Sequence, residues 1–391
     1  MKILILSFYY EPDLCAGSFR CSALTKELSR HNVEIEVITT APNRYASFES
    51  NALDFEQKDN ITIHRIALPS HKNGLIDQIR SFRVYYCKAL TMVKSNDYDL
   101  VYATSSRLFT AFLGARIANK KKLPLYLDIR DIFVDTVDNI LPRTASWLVK
   151  PILSHIERYT FNSANRINLV SKGFLKYFKC RYNNSLFRFF TNGIDEEFMD
   201  KVPIDYVEHN TLSVINVLYV GNIGEGQGLH KVIPELAKRL NTKFHFKIIG
   251  DGGQKQHLKN SIAHFNLINV ELLPPVNRSY LIEEYKKADI LFLHLNDYPA
   301  FEKVLPSKLF EYAATGKPIW AGLAGYSAQF VQSEIDNCQV FTPCNTTDAI
   351  NKLDDIYLGI KSRIEFKKKF RRIDIMNSMA SDIIELVKHN G

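Results

Sequence analysis

Residues 301–318 read Phe-Glu-Lys-Val-Leu-Pro-Ser-Lys-Leu-Phe-Glu-Tyr-Ala-Ala-Thr-Gly-Lys-Pro, and this stretch decides the fold. Pro306 suits the first position of a helix, and Gly316 followed by Pro318 suits its end. An apolar run at 288–295 precedes it and another at 318–322 follows, so the unit predicts strand, helix, strand with a parallel crossover. Ligands of such units sit beyond the carboxyl ends of the strands, where helix N-termini point. Lys308 and Glu311, three apart, fall on one helix face. A cation there suits a phosphate, and a carboxylate one turn on suits the cis-diol of a sugar. The competing reading is a solvated surface pair, which the neighbouring motifs have to overturn.

Outward from this unit the alternation continues. Apolar runs at 214–220, 244–250, 270–273, 290–295 and 318–321 predict one parallel sheet. In the first half, runs at 2–9, 34–39, 100–104, 123–128 and 167–171, with a helix over 18–31 and a turn at 191–195, predict a second. Residues 200–212 lose the pattern and read as a linker. The fold class is therefore α/β, with two doubly wound parallel-sheet domains at 1–200 and 201–372. From Ala349 the pattern is helical, and the basic segment 361–372 reads as a solvated helix face. Nothing there interleaves aromatics with cations as a nucleic-acid platform would, so no nucleic acid is expected.

The whole chain bounds the chemistry. Its 391 residues, 46% apolar and 24% charged, suit a two- or three-domain globular protein. Cysteines 15, 21, 87, 180, 338 and 344 show neither metal-type spacing nor disulfide-framework density, which predicts a reducing, cytoplasmic setting. The apolar opening stops at Glu11-Pro12 without a small-residue cleavage site and reads as a strand rather than a signal peptide. No run approaches the roughly 20 apolar residues of a membrane span. Of the net charge of +8, residues 1–195 carry +9, with 27 Lys and Arg against 18 Asp and Glu, and the remainder carries −1. That half suits an anionic partner.

Gly17 and Ser18, after the first strand, let a ligand approach the unpaired N–H groups of a helix start. Gly221, Gly224, Gly226 and Gly228 make a loop whose amides can face an anion, with Asn222 and Gln227 inside it. The spacing is not the dinucleotide G-x-G-x-x-G. Gly250 and Gly252 form a second strand-end loop. Three ligand-capable edges then cluster on one side of one sheet, which points to a nucleotide site. Asp128, Arg130 and Asp131 close a strand of the first half, as cleft residues or as a buried ion pair. The histidines at 31, 64, 155, 245 and 294 are scattered, and no metal site is expected.

Taken together, residues 221–229, Ile249-Gly-Asp-Gly252, Ala288-Asp289, Leu305-Pro-Ser-Lys-Leu-Phe-Glu311 and Gly316-Lys-Pro318 resemble the nucleotide-binding half of retaining family 4 glycosyltransferases. The likeness is to the bacterial O-antigen and capsular polysaccharide type. Ser7-Phe-Tyr-Tyr-Glu-Pro12, Arg130-Asp131 and Asn192-Gly-Ile-Asp195 are similar to its acceptor-side half. The resemblance implies a GT-B architecture, two Rossmann-like domains facing across a cleft, with a final helix (373–391) packing back on the first. It implies a nucleotide-sugar donor held by Gly17, Ser18, Gly221, Asn222, Gln227, Gly250, Gly252, Pro306, Ser307, Lys308 and Glu311, and no cofactor or metal. Glu311 would hold the ribose, while Gly17 and Lys308 would approach the diphosphate. Asn222 and Gln227 stand where many members carry an Arg and a Lys, Lys303 stands for the first of two paired glutamates, and Arg130 replaces a cleft histidine.

The function expected is transfer of a sugar from a UDP-sugar to a lipid-linked saccharide or growing polysaccharide, with Asp131, Arg130 and Lys308 as the catalytic set. A UDP-sugar epimerase of the same fold and an inactive nucleotide-sugar-binding subunit are the alternatives. Peripheral contact with the anionic inner face of the membrane is expected through residues 72–94. There Leu75, Ile79, Phe82, Tyr86, Leu90 and Val93 recur at helical spacing, flanked by Lys72, Arg80, Arg83, Lys88 and Lys94.

Overall fold

Short apolar runs become strands here because each sheet is covered on both faces. A computed structural model describes residues 1–43, 52–69, 75–105, 108–135, 143–182, 186–199 and 214–390. Contacts divide the chain into two units: one takes the described residues up to Asn192 together with those from Ile373 on, the other Gly193–Arg372. The expected linker at 200–212 lies outside the described residues.

In the first unit, β1 (Lys2–Leu6), β2 (Glu34–Thr40), β3 (Phe55–Lys58), β4 (Ile61–Ile66), β5 (Leu100–Thr104), β6 (Leu125–Ile129), β7 (Arg166–Leu169) and β8 (Leu186–Arg188) form one sheet. Its order is β3-β4-β2-β1-β5-β6-β7-β8. All neighbours are parallel except β3, which turns back antiparallel on β4 at the edge. Alternate residues of each strand face opposite layers. Ile3, Ile5, Tyr102 and Tyr126 pack under helices Ala16–Arg30 and Arg372–Asn390, through Cys21, Leu24, Leu28, Met376, Met379 and Ile383. The returning helix is also tied by charge: Asp382 accepts from Arg166 at 2.7 Å, Arg188 at 2.7 Å and Tyr126 at 3.0 Å. On the other face Gly114 lets helix Leu108–Lys121 press onto Leu6, Ala103 and Leu125.

The second unit's sheet has β9 (Ile215–Asn222), β10 (Phe244–Asp251), β11 (Val270–Leu273), β12 (Ile290–His294), β13 (Ile319–Gly322) and β14 (Cys338–Phe341) in the order β11-β10-β9-β12-β13-β14, all parallel. The helix expected to open at Pro306 instead runs Lys308–Ala314. Its preceding turn is closed by Leu309 N–H on the Pro306 carbonyl, at 3.2 Å. Gly316, at φ +75°, ends it.

The solvated-face reading of 361–372 fails at two arginines. Arg363, 6% exposed, donates to the carbonyls of Ala313 and Lys317 at 3.1 Å, capping the end of that helix. Arg372 is ion-paired to Asp195. Gly193 sits where the outgoing and returning chain cross, since a Cβ there would lie 2.7 Å from Arg372 Cα. Among the described residues no helix is long and apolar enough to cross a membrane.

Candidate active site

Because the strands of the second sheet run parallel, β9, β10, β12 and β13 deliver their ends, Asn222, Asp251, His294 and Gly322, to one edge. Gly221 and Gly250 have φ of +149° and +158°, and a Cβ on Gly250 would lie 1.8 Å from the Gly221 carbonyl oxygen. A Cβ on Gly252 would lie 2.6 Å from the oxygen of Ile223. These two glycines therefore serve the close approach of two strand-end loops.

Inside the first loop Asn222 Nδ2 donates to Gln227 Oε1 at 2.7 Å, and Gly224 N–H reaches the same oxygen at 3.3 Å. The two positions form a neutral, mutually satisfied pair. Glu225 ties the edge together, accepting from Gln254 at 2.9 Å, Tyr298 at 2.6 Å and Asn296 Nδ2 at 3.1 Å, with Lys231 Nζ at 3.5 Å. Burial pushes its carboxyl up, but the Tyr298 bond and the charges of His230 and Lys231 hold it below the usual range.

His294, 1% exposed, lies between the Gln227 carbonyl, 2.7 Å from Nδ1, and the Cys344 N–H, 2.9 Å from Nε2. A carbonyl only accepts and an amide only donates, so Nδ1 carries the proton and Nε2 is bare. Burial pushes this imidazole down to about 4. Sequence reasoning did not single out His294 or Glu225 as residues that hold this edge together. The signal for both was their place at a strand end or within the glycine-rich loop.

The Lys308–Glu311 pair is not a solvated one. Glu311 is 6% exposed, and its Oε2 receives Lys308 Nζ at 2.8 Å and the hydroxyl of buried Tyr285 at 3.2 Å. Both bonds fall on Oε2, and among the described residues no donor is bonded to Oε1. Tyr312, on the same helix, accepts from the Val220 N–H at 2.9 Å and so fixes the helix to β9. The Phe301–Lys303 turn packs on the glycine-rich loop, where a Cβ on Gly226 would lie 3.0 Å from the Phe301 ring. The second unit thus brings Gly221, Asn222, Gln227, Gly250 and Gly252 together at one edge, and the Pro306–Glu311 segment is anchored to β9.

In the first unit Gly17 and Arg130 meet: a Cβ on Gly17 would lie 2.2 Å from Arg130 Nη1. Arg130 is half-buried at the end of β6, with its N–H on Ser105 Oγ at 3.0 Å, and Asp131 beyond it is exposed. Gly17 and Ser18 are both buried, Ser18 fully. Asp128 belongs to the interior: Arg20 holds it in a two-bonded pair at 2.8 and 3.0 Å, and Asn168 adds a bond at 2.7 Å. Among the described residues no group of three His, Cys, Asp or Glu is placed to hold a metal ion.

Two parallel-sheet α/β units with such strand-end loops define the GT-B class of glycosyltransferase folds, and solved structures agree. A sucrose-phosphate synthase from Thermosynechococcus elongatus superposes with a TM-score of 0.78 at 14% identity, over 100% of both chains. Anabaena HepE in complex with UDP and glucose does so at 0.69 and 16%, over 98% of this chain and 99% of that one. WaaG, a glycosyltransferase involved in lipopolysaccharide biosynthesis, gives 0.69 and 15% over the same shares. Residues 18–183 match the family described as glycosyl transferase 4-like domain, and residues 212–372 match glycosyl transferases group 1. The chain thus carries a glycosyl transferase 4-like domain followed by a glycosyl transferases group 1 domain, and it is a glycosyltransferase. It is 26% identical over 336 residues, 81% of this chain and 82% of the other, to Escherichia coli (strain K12) WcaI, assigned by name to colanic acid biosynthesis as a glycosyl transferase.

Proposed function

We propose that the chain moves a sugar from a UDP-sugar to a lipid-linked saccharide or growing surface polysaccharide, with retained anomeric configuration and without a metal. The observation that carries this reading is buried Glu311, held by Tyr285 and Lys308 through Oε2, with no donor bonded to Oε1 among the described residues. A ribose diol satisfies such a group. The complex of HepE with UDP and glucose supports UDP as the nucleotide, and the names of WcaI and WaaG support a surface-glycan acceptor.

In this reading Lys308 and the backbone N–H groups near Gly17 neutralise the diphosphate as its bond to the sugar breaks, the step at which charge develops. The acceptor oxygen bonds to the anomeric carbon on the same face and its proton passes to the leaving phosphate. Asp131 orients that hydroxyl, and Arg130 lies over Gly17 to meet phosphate charge. The reaction takes place in the cytoplasm, at the inner membrane face where a lipid-linked acceptor is held.

The test is a thermal-shift screen of nucleotide-sugars followed by transfer of the stabilising sugar to a lipid-linked acceptor. A ligand at 100 times its dissociation constant adds about 2.7 kcal/mol. Stabilisation by UDP and one UDP-sugar, with an α-linked product from an α-linked donor, is the expected result. Selective stabilisation by another nucleotide, or an inverted product, overturns it.

A further inference from the structure

The helical layer on the β1-β5-β6 side of the first sheet consists of Leu75–Met92, Leu108–Lys121 and Arg143–Asn162, with the middle helix packed on both neighbours. The stripe read from sequence over 72–94 belongs largely to the interior. Tyr85, Ala89 and Val93 are buried, Phe82 packs its ring on Phe8 and Phe109, and Tyr86 stacks on Phe112. Ile79 alone of that stripe's described side chains stays out, 61% exposed. The larger exposed apolar face is on Arg143–Asn162, where Trp147 is 78% and Ile152 62% exposed, with Pro151 exposed between them, while Leu153 and Glu157 turn inward.

Charge on this layer is one-sided. Its three helices hold nine Lys and Arg against two carboxylates, Asp77 and Glu157. Glu157 is buried under the hydroxyls of Tyr177 and Tyr182, at 2.6 and 2.8 Å, and offers nothing outward. Arg80, Arg83, Lys88, Arg116, Lys120 and Arg158 are exposed. In parallel crossovers helices run against the strands, so Ile79 and Trp147, near their helix starts, lie toward the edge where the strands end, and Ile152 lies midway along its helix. Gly17 and Arg130 stand at that same edge.

We propose that the outer face of this layer docks on an anionic membrane, with Trp147 and Ile152 seated among the headgroups and the arginines and lysines on lipid phosphates. The assignment rests on the lipid-linked acceptor reading and gives it a surface. Tryptophan favours the water–hydrocarbon boundary, and cations around it supply salt-sensitive attraction. Ile79, Pro151 and Ile152 offer no stacking plane, which sets this face apart from a nucleic-acid platform.

The chain has two tryptophans, and Trp320 is fully buried, so a vesicle-induced change in emission reports Trp147. The full-length protein is mixed with phosphatidylcholine vesicles, with or without an equal part of phosphatidylglycerol, and free of donor and acceptor. Expected are co-sedimentation with the anionic vesicles only, release at high salt, and a blue shift of emission that Trp147→Phe abolishes. Each cation near such a surface is worth about fivefold in partitioning, so Arg80→Ser/Arg83→Ser/Arg116→Ser weakens binding at least tenfold. All these positions are exposed, and unchanged melting temperatures show that the variants remain folded. No binding at low salt, binding without a Trp147 signal, or release of bound protein by a single-stranded RNA at equal charge overturns the proposal. Because the vesicles carry no substrate, these outcomes are independent of transfer activity, which a water-soluble acceptor analogue measures separately.

Discussion

Replacing Glu311 by Gln keeps its size and removes its charge. In the folded chain Oε2 accepts from Lys308 Nζ at 2.8 Å and from Tyr285 at 3.2 Å, inside a pocket that leaves the residue 6% exposed. If Oε1 accepts from the ribose, the bond lost is a charge-assisted one, worth about 1.5–3 kcal/mol. UDP affinity should then fall about 10- to 150-fold, since 1.4 kcal/mol is tenfold. Tyr285→Phe removes only a neutral donor that steadies Oε2, and about 0.5–1.5 kcal/mol is expected from it. The order of the two variants is thus part of the prediction.

Isothermal titration with UDP is the assay, with the melting temperature of each variant as the control for folding. Uridine alone should show the same loss in Glu311→Gln as UDP, because the contact is to the ribose and not to phosphate. Unchanged affinity in a folded variant would return Glu311 to a purely structural pair with Lys308. A loss seen for UDP but not for uridine would also refute the argument, moving the contact to the diphosphate through Lys308.

Other consequences follow from the same geometry. Lys308→Ala should lower turnover much more than it raises the Michaelis constant, because charge on the leaving diphosphate grows toward the transition state; normal turnover with weak binding would make Lys308 a binding residue only. Asp131→Asn should bind UDP normally and transfer slowly, and a wild-type transfer rate removes Asp131 from the reaction. For His294, buried and pushed down to about 4, the unfolded chain takes up a proton near pH 6.5 that the folded chain refuses, so its stability contribution is complete above that pH and is lost as pH falls toward 4. Between pH 7 and 5 the loss is about 2 kcal/mol, and a His294 imidazole resonance, assigned by its absence in His294→Gln, that titrates near 6.5 in the folded protein would contradict it.

The parallel alternation was legible because strands buried on both faces are nearly continuous apolar runs: β5 and β11 fall on the residues read from sequence, and most others within two. What escaped was short or at an edge. The β3–β4 hairpin, β8 and β14 are brief segments of mixed polarity whose pairing comes from neighbours far off in sequence, as Ile61 with Ile35 and Cys338 with Ile319. At the site, the loops and the 301–318 unit could be placed from glycine and proline positions alone. The partners that bury Glu311 could not, since Tyr285 is an ordinary aromatic inside a helix until tertiary packing sets it beside Glu311. Arg363 failed the solvated reading for the same reason: its partners are backbone carbonyls near 313 and 336, invisible to side-chain pattern.

The neutral Asn222–Gln227 pair changes what Lys308 has to do. Lys231, the cation on the helix that follows the glycine-rich loop, is engaged by Glu225 at 3.5 Å and by the Asn296 side chain at 3.1 Å, and is not available to a ligand at no cost. Lys308 is likewise engaged by Glu311, so this segment begins neutral. If a ribose on Oε1 draws negative charge from the shared carboxylate, the hold of Oε2 on Lys308 weakens and more of its charge is open to the phosphates. Nucleoside recognition and diphosphate neutralisation are then coupled through one contact of 2.8 Å. A double-mutant cycle of Lys308→Ala and Glu311→Gln on UDP affinity measures this directly, and groups in contact usually couple by about 0.5–3 kcal/mol. A cycle that closes within about 0.3 kcal/mol would mean that the two side chains meet the nucleotide independently, and that the ion pair between them is a neighbour's contact without a role in binding.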